Sequence, residues 1–172
     1  MANKKDETAG WTAEKLYSEA HDAMTGGAYD KAIKMFEKLE ARYPYGRYSQ
    51  QAQLEIAYAY YKQQEAASAI AACDRFIRLH PNHPNVDYAY YLKALSYYEQ
   101  ISDVQRDQEM TSKAVEAFKA LQSRFPDSRY SRDATLKLDL TNDHLAGKEM
   151  EIGRYYLTRG QTNAAINRFR SV

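Results

Sequence analysis

One short pattern recurs along this chain of 172 residues and constrains it more than anything else in the sequence. The stretch from Glu40 to Ala52, Glu-Ala-Arg-Tyr-Pro-Tyr-Gly-Arg-Tyr-Ser-Gln-Gln-Ala, is echoed from Gln122 to Ala134 as Gln-Ser-Arg-Phe-Pro-Asp-Ser-Arg-Tyr-Ser-Arg-Asp-Ala. A weaker copy runs Ile77-Arg78-Leu79-His80-Pro81, and Ala52, Ala89 and Ala134 each stand eight residues past their proline. The prolines are 37 and 45 residues apart, the second gap being lengthened by a polar insert at 102–111. A period of this size marks stacked supersecondary units, none of which can bury its apolar face alone.

Within each copy the apolar spacing is helical. Leu16, Ala20 and Ala23, then Ala32, Ile33, Phe36 and Leu39, recur at three- and four-residue steps. Trp11 before Thr12 and Leu16 reads as a hydrophobic staple around an N-cap, and Gly26-Gly27 supplies a left-handed C-cap. Pro44, Pro81 and Pro126 each stop the second helix of a pair. The expected pairs are 12–26 with 30–43, 48–63 with 66–79, and 86–101 with 111–125. A helical segment over 129–158, one helix or two, is followed by another from about 161.

These features match the tetratricopeptide repeat of about 34 residues. The expected fold is all-α, a right-handed superhelix of antiparallel helix pairs (an α-solenoid). Its repeats would span 12–44, 48–81 and 86–126, with a partial repeat at 129–172 after a flexible segment at 1–10. Composition agrees, since 25 Ala and 16 Tyr against 4 Val and 7 Ile favour helix over sheet. With 24 basic and 23 acidic residues, the net charge of +1 exerts no general pull on nucleic acid. No apolar run approaches the ~20 residues of a membrane span, and no secretory leader opens the chain. An open solenoid end exposes apolar surface, so a chain stopping at Phe169-Arg170-Ser171-Val172 is expected to be part of a longer parent.

No phosphate loop, nucleophile elbow, zinc-protease motif or paired-cysteine spacing is present, so no enzyme activity, metal or cofactor is expected. His80 and His83 read as a solvated turn between repeats, and Cys73, at a core position, as a buried inert thiol. Repeats of this kind bind segments of other proteins along their first helices. The groove-facing positions here are Glu14, Tyr17, Ser18 and His21; Gln51, Leu54, Glu55, Tyr58, Tyr61 and Lys62; and Tyr88, Tyr91, Leu92, Leu95 and Tyr98. Of these, Tyr17, His21, Leu54, Tyr58, Tyr61, Lys62, Tyr88, Tyr91 and Tyr98 are the candidate peptide-binding residues. Tyrosine offers large contact area and a hydroxyl at low entropic cost. The Lys/Asn/Arg clamp of co-chaperone repeats is absent, its places being taken by Tyr17, His21, Glu55, Tyr88 and Leu92.

Several strings resemble one family, the outer-membrane β-barrel assembly lipoproteins of the BamD (ComL) type. They are Trp11-x-x-Glu14-Lys15-Leu16-Tyr17, Arg42-Tyr43-Pro44-x-x-Arg47-Tyr48, and Gln53-Leu54-x-x-Ala57-Tyr58-Ala59-Tyr60-Tyr61-Lys62. The most specific is His80-Pro81-x-His83-Pro84-Asn85-x-Asp87-Tyr88, and Glu149-Met150-x-Ile152-Gly153-Arg154-Tyr155-Tyr156 extends the match to essentially 11–172. The resemblance implies a non-catalytic adaptor, lipid-anchored at the periplasmic face of the outer membrane. Its implied partners are BamA, smaller assembly lipoproteins and unfolded barrel proteins, with no nucleic acid; the membrane is reached only through a lipid anchor. Neither a leader nor a lipidation cysteine precedes Asn3, and against the family's five repeats the last one to two are expected to be missing. An N-terminal fragment is therefore expected. A rival reading is a periplasmic tetratricopeptide factor of the Tol–Pal or cell-division type.

Overall fold

The computed structural model describes residues 5–101 and 108–158, with side chains described as far as 143. Among the described residues seven helices follow in order: α1 (Ala13–Thr25), α2 (Tyr29–Arg42), α3 (Arg47–Lys62), α4 (Ala66–Leu79), α5 (Val86–Tyr98), α6 (Gln108–Arg124) and α7 (Arg129–Thr158). No strand occurs among the described residues. The expected boundaries hold within a residue or two through α4. Helix α5 stops three residues short of the expectation, α6 starts three residues early inside the insert, and 129–158 is one helix. The helix expected from about 161 lies outside the described residues. Contacts divide the chain into two units, one ending at Lys93 and one beginning at Ala94, with the border inside α5.

In the first unit the turns inside the two helix pairs, α1–α2 and α3–α4, are the same object built from different residues. After α1, Gly27 N–H donates to Met24 C=O and Ala28 N–H to Ala23 C=O at 3.0 and 2.8 Å. After α3, Gln64 donates to Tyr61 and Glu65 to Tyr60, both at 3.0 Å. Both are Schellman closures, which need a left-handed residue. Gly27 supplies it at φ +80°, and Gln64 does so at φ +61° despite its side chain. Helix ends before proline are equally uniform. Tyr43, His80 and Phe125 each donate their N–H four residues back, to Leu39, Phe76 and Leu121, at 2.8 Å.

The core repeats with an exchange of sizes. Counting back from each proline, Phe36, Cys73 and Phe118 share one position, and Leu39, Phe76 and Leu121 share another; all six are fully buried. In the middle repeat the ring has moved one turn along the helix, and the small thiol fills the place it left. Ala20, Ala32, Ala52, Ala57, Ala59 and Ala69 are all 0% exposed, so the helices of the first unit meet at methyl groups. Trp11 packs on the cluster containing Leu16, and Thr12 Oγ1 accepts from Lys15 N–H at 3.1 Å, as the staple and N-cap predict. In the second unit Ala114, Phe118, Leu121, Ala134 and Leu138 are buried where α6 meets α7.

The N-terminal segment departs from expectation. Rather than running free to residue 10, it is hooked onto α2 from Asp6 onward. The Asp6 carboxylate accepts from Thr8 N–H (2.9 Å), Thr8 Oγ1 (2.7 Å), Lys38 Nζ (3.1 Å) and the Arg42 guanidinium. Arg42 also donates to Thr8 C=O at 2.7 Å, and the Tyr43 hydroxyl donates to Trp11 C=O at 2.6 Å. The pairings made by Lys38, Arg42 and Tyr43 span more than 30 residues of sequence, and periodicity carries no signal of such pairs. The hydrogen bonds from Thr8, with Lys38, hold the Asp6 carboxyl well below the usual carboxylate range.

A methyl group added to Gly27 would meet nothing within 4 Å, so its substitution costs only backbone strain. Gly27→Ala is expected to lower stability by about 1 kcal/mol. Gln64→Gly should raise it by roughly 0.5 kcal/mol, relief of strain outweighing the looser unfolded chain. Urea unfolding of both variants checks the pair. Because the folded pKa of Asp6 lies below its unfolded value of 3.8, its contribution is present above that pH and lost as pH falls from there through the folded pKa. Asp6→Asn should expose residues 6–11 to faster amide exchange at neutral pH than in the parent chain, as hydrogen–deuterium exchange would read.

Candidate functional site

On α3 the residues Gln51, Glu55, Tyr58 and Lys62 follow at steps of four, three and four, which aligns them on one helix face. That face meets α1 through Tyr17. The Tyr17 ring stands edge-on to Phe36 (5.7 Å between centroids) and tilted to Tyr48 (5.5 Å). Its hydroxyl donates to Glu55 Oε1 at 3.3 Å, and burial together with the Glu55 charge pushes its pKa up to about 12. His21 stacks on the outer side of Tyr17, centroids 6.0 Å apart and planes 10° apart, with its own side chain half exposed.

A second group of tyrosines lies farther along. Tyr58 and Tyr61 sit 6.5 Å apart, and with Tyr88 they pack half-buried over Ala57, Cys73 and Leu92. Tyr58 also touches the main core cluster, so it joins two layers. Tyr91 is half-buried on α5, and Lys62 ends α3 exposed to solvent.

Two of the candidate peptide-binding residues do other work, and Leu92, another groove position, is buried in the core. Leu54 is only 2% exposed, so it serves the core; its place in the repeat was right for a groove but its apolar side chain is covered. Tyr98 belongs to the second unit, where it stands edge-on to Phe118 at 6.0 Å with Lys137 Nζ 5.7 Å above its ring. That leaves Tyr17, His21, Tyr58, Tyr61, Lys62, Tyr88 and Tyr91 as candidates in the first unit. Sequence reasoning counted Glu55 and Gln51 as groove positions without singling them out. The signal that could have done so is their four-residue spacing beside Tyr58.

Among the described residues, no group of three or more His, Cys, Asp or Glu side chains gathers as a metal site would require. The His80–His83 turn is more packed than a solvated loop. Both rings lie against Phe76, at 5.3 and 5.1 Å, and His83 Nδ1 accepts from Asn85 N–H at 3.0 Å. Cys73 is fully buried, and burial pushes its thiol up to about 12, too high for thiolate chemistry near neutrality. No described helix is long and apolar enough to cross a membrane.

Comparison with known proteins bears on what this face is for. The model of the YfiO family, described as an outer membrane lipoprotein, matches residues 10–172. The chain belongs to that family. A Caulobacter vibrioides protein named outer membrane protein assembly factor BamD is 46% identical over 92% of this chain and 52% of its own length. One of the same name from Neisseria meningitidis serogroup B is 43% identical over 96% of this chain and 66% of its own. This YfiO-family chain thus spans about half to two-thirds of the length of these curated relatives. Among solved structures, the first tetratricopeptide domain of Spaghetti, bound to an HSP90 peptide, has a TM-score of 0.59 over 78% of this chain and 93% of that one. At 19% identity that likeness shows the fold alone: an all-α, tetratricopeptide-type helical repeat.

Burial of the His83 ring, with the neighbouring His80, lowers the His83 pKa below 6.5. The unfolded chain therefore takes up the proton first, and stability is expected to decline as pH falls below about 6.5. Chemical unfolding at pH 7 and pH 5 should show a smaller acid loss in His83→Gln than in the parent chain.

Proposed function

We propose that this chain is a non-catalytic scaffold of the outer-membrane β-barrel assembly machinery. Its tyrosine face takes up extended segments of unfolded outer-membrane proteins and passes them on for insertion. The observation that carries the reading is the half-buried trio Tyr58, Tyr61 and Tyr88 on the first helices of consecutive repeats, in a chain whose relatives are named assembly factors. Half-buried aromatic rings present rigid apolar area that binds without a large loss of rotamer freedom. Alternating aromatic side chains of a barrel strand match such rings in size and polarity.

In this reading the full-length protein is lipid-anchored at the periplasmic face of the outer membrane and works beside BamA and smaller lipoproteins. The rival assignment to a Tol–Pal or cell-division factor is not favoured by these relatives.

A labelled peptide copying the last strand of a barrel protein should bind the purified chain. Tyr58→Ala combined with Tyr61→Ala should weaken it at least tenfold, as truncated aromatic anchors do. Because Tyr58 also packs against the core, Tyr61→Ala alone is measured beside it, with circular dichroism on both variants. Unchanged affinity in folded variants rules the face out. Copurification of BamA with the full-length protein from membranes tests the assembly role.

A further inference from the structure

Among the described residues, no lysine or arginine forms an ion pair with Glu55, a carboxylate lying beside the tyrosines. Its side chain is 16% exposed. Its Oε1 accepts from the Tyr17 hydroxyl at 3.3 Å and from the Gln51 amide at 3.4 Å, both neutral donors. Its ionic neighbour among the described residues is His21 Nδ1 at 3.9 Å, a contact that carries charge only when the imidazole is protonated. A carboxylate largely withdrawn from water has lost hydration that neutral donors restore only in part, so an arriving cation finds a strong partner there.

The surroundings narrow the kind of cation. Two aromatic rings stacked on each other, Tyr17 and His21, reach the carboxylate through the Tyr17 hydroxyl and His21 Nδ1, and Tyr58 lies three residues along the same helix face. A guanidinium is planar and weakly hydrated, stacks on aromatic rings and bonds a carboxylate through its fork of donors. We propose that Glu55, contacted by Tyr17 and His21, is a subsite for an arginine side chain carried by the extended segment that binds the tyrosine face. The inference rests on the peptide-binding reading above and adds a selectivity to it. Segments pairing an aromatic residue with a nearby arginine are preferred over those with aromatic residues alone.

The competing account is that Glu55 only ties α1 to α3 through the Tyr17 hydroxyl. Glu55→Gln separates the two, because an amide oxygen can still accept that hydrogen bond while the charge is gone. The probes are labelled ten-residue peptides alternating Tyr or Phe with Ser, each with one Arg at a different position, and counterparts with citrulline in its place. Binding to the whole chain is followed by fluorescence anisotropy.

The parent chain should bind the best arginine peptide roughly tenfold more tightly than its citrulline twin at low salt, a gap that narrows as salt is added. Glu55→Gln should bind both peptides alike, at the citrulline level, with an unchanged thermal midpoint. Equal binding of the twins by the parent chain overturns the subsite and leaves the tyrosine face standing. So does a preference that survives in Glu55→Gln, or a loss of all binding in that variant. No binding of any peptide by the parent chain overturns both readings.

Discussion

Contact between helices at methyl groups is the constraint on which the rest of this structure depends. Ala20, Ala32, Ala52, Ala57, Ala59 and Ala69 have no exposed surface, and side chains this small let packed helices approach closely. At such places a larger side chain would push the helices apart, because close-packed interiors transmit a change of even one methylene. Close approach in turn leaves room for a few large rings between the crossings, which Phe36 and Phe76 fill in the first unit. The exchange at Cys73 and Phe76 shows that the one large ring is kept while its location shifts by one turn. A small thiol is admissible there only because its neighbour on the same face is large.

The tyrosines divide their work by depth. Tyr17 is as much a structural strut as a surface, its ring held by Phe36 and Tyr48 and its hydroxyl by Glu55. Tyr58, Tyr61 and Tyr88 rest on a thin layer formed by Ala57, Cys73 and Leu92. A ring supported beneath and open above loses little freedom when a partner covers it. The polar groups that accompany these rings, Glu55, Gln51 and His21, then carry discrimination, since an apolar surface alone distinguishes poorly between aromatic segments.

How much was legible in advance follows from the range of each interaction. Helix ends were readable because their causes are local: proline removes a donor, and a left-handed turn asks for glycine. Gln64 shows the limit, since the second turn copies the first without the residue that announces it. Three-residue differences at α5 and α6 surround the insert, where the repeat period gives no guide. Tyr98 and Leu54 were placed on the binding face by repeat position, and packing claimed both. A position states which way a side chain points but not what stands in front of it.

The sequence by itself determined the repeat, its all-α helix pairs, the small residues at the crossings and the family to which the chain belongs. All of these are written in spacing and side-chain size, which survive without knowledge of the fold. Only the tertiary structure decided that Asp6 hooks the N-terminal segment to Lys38 and Arg42, and that Glu55 meets Tyr17 across two helices. It also decided which tyrosines stay at the surface. Each of those hydrogen bonds joins residues more than 30 positions apart, and no local periodicity encodes that.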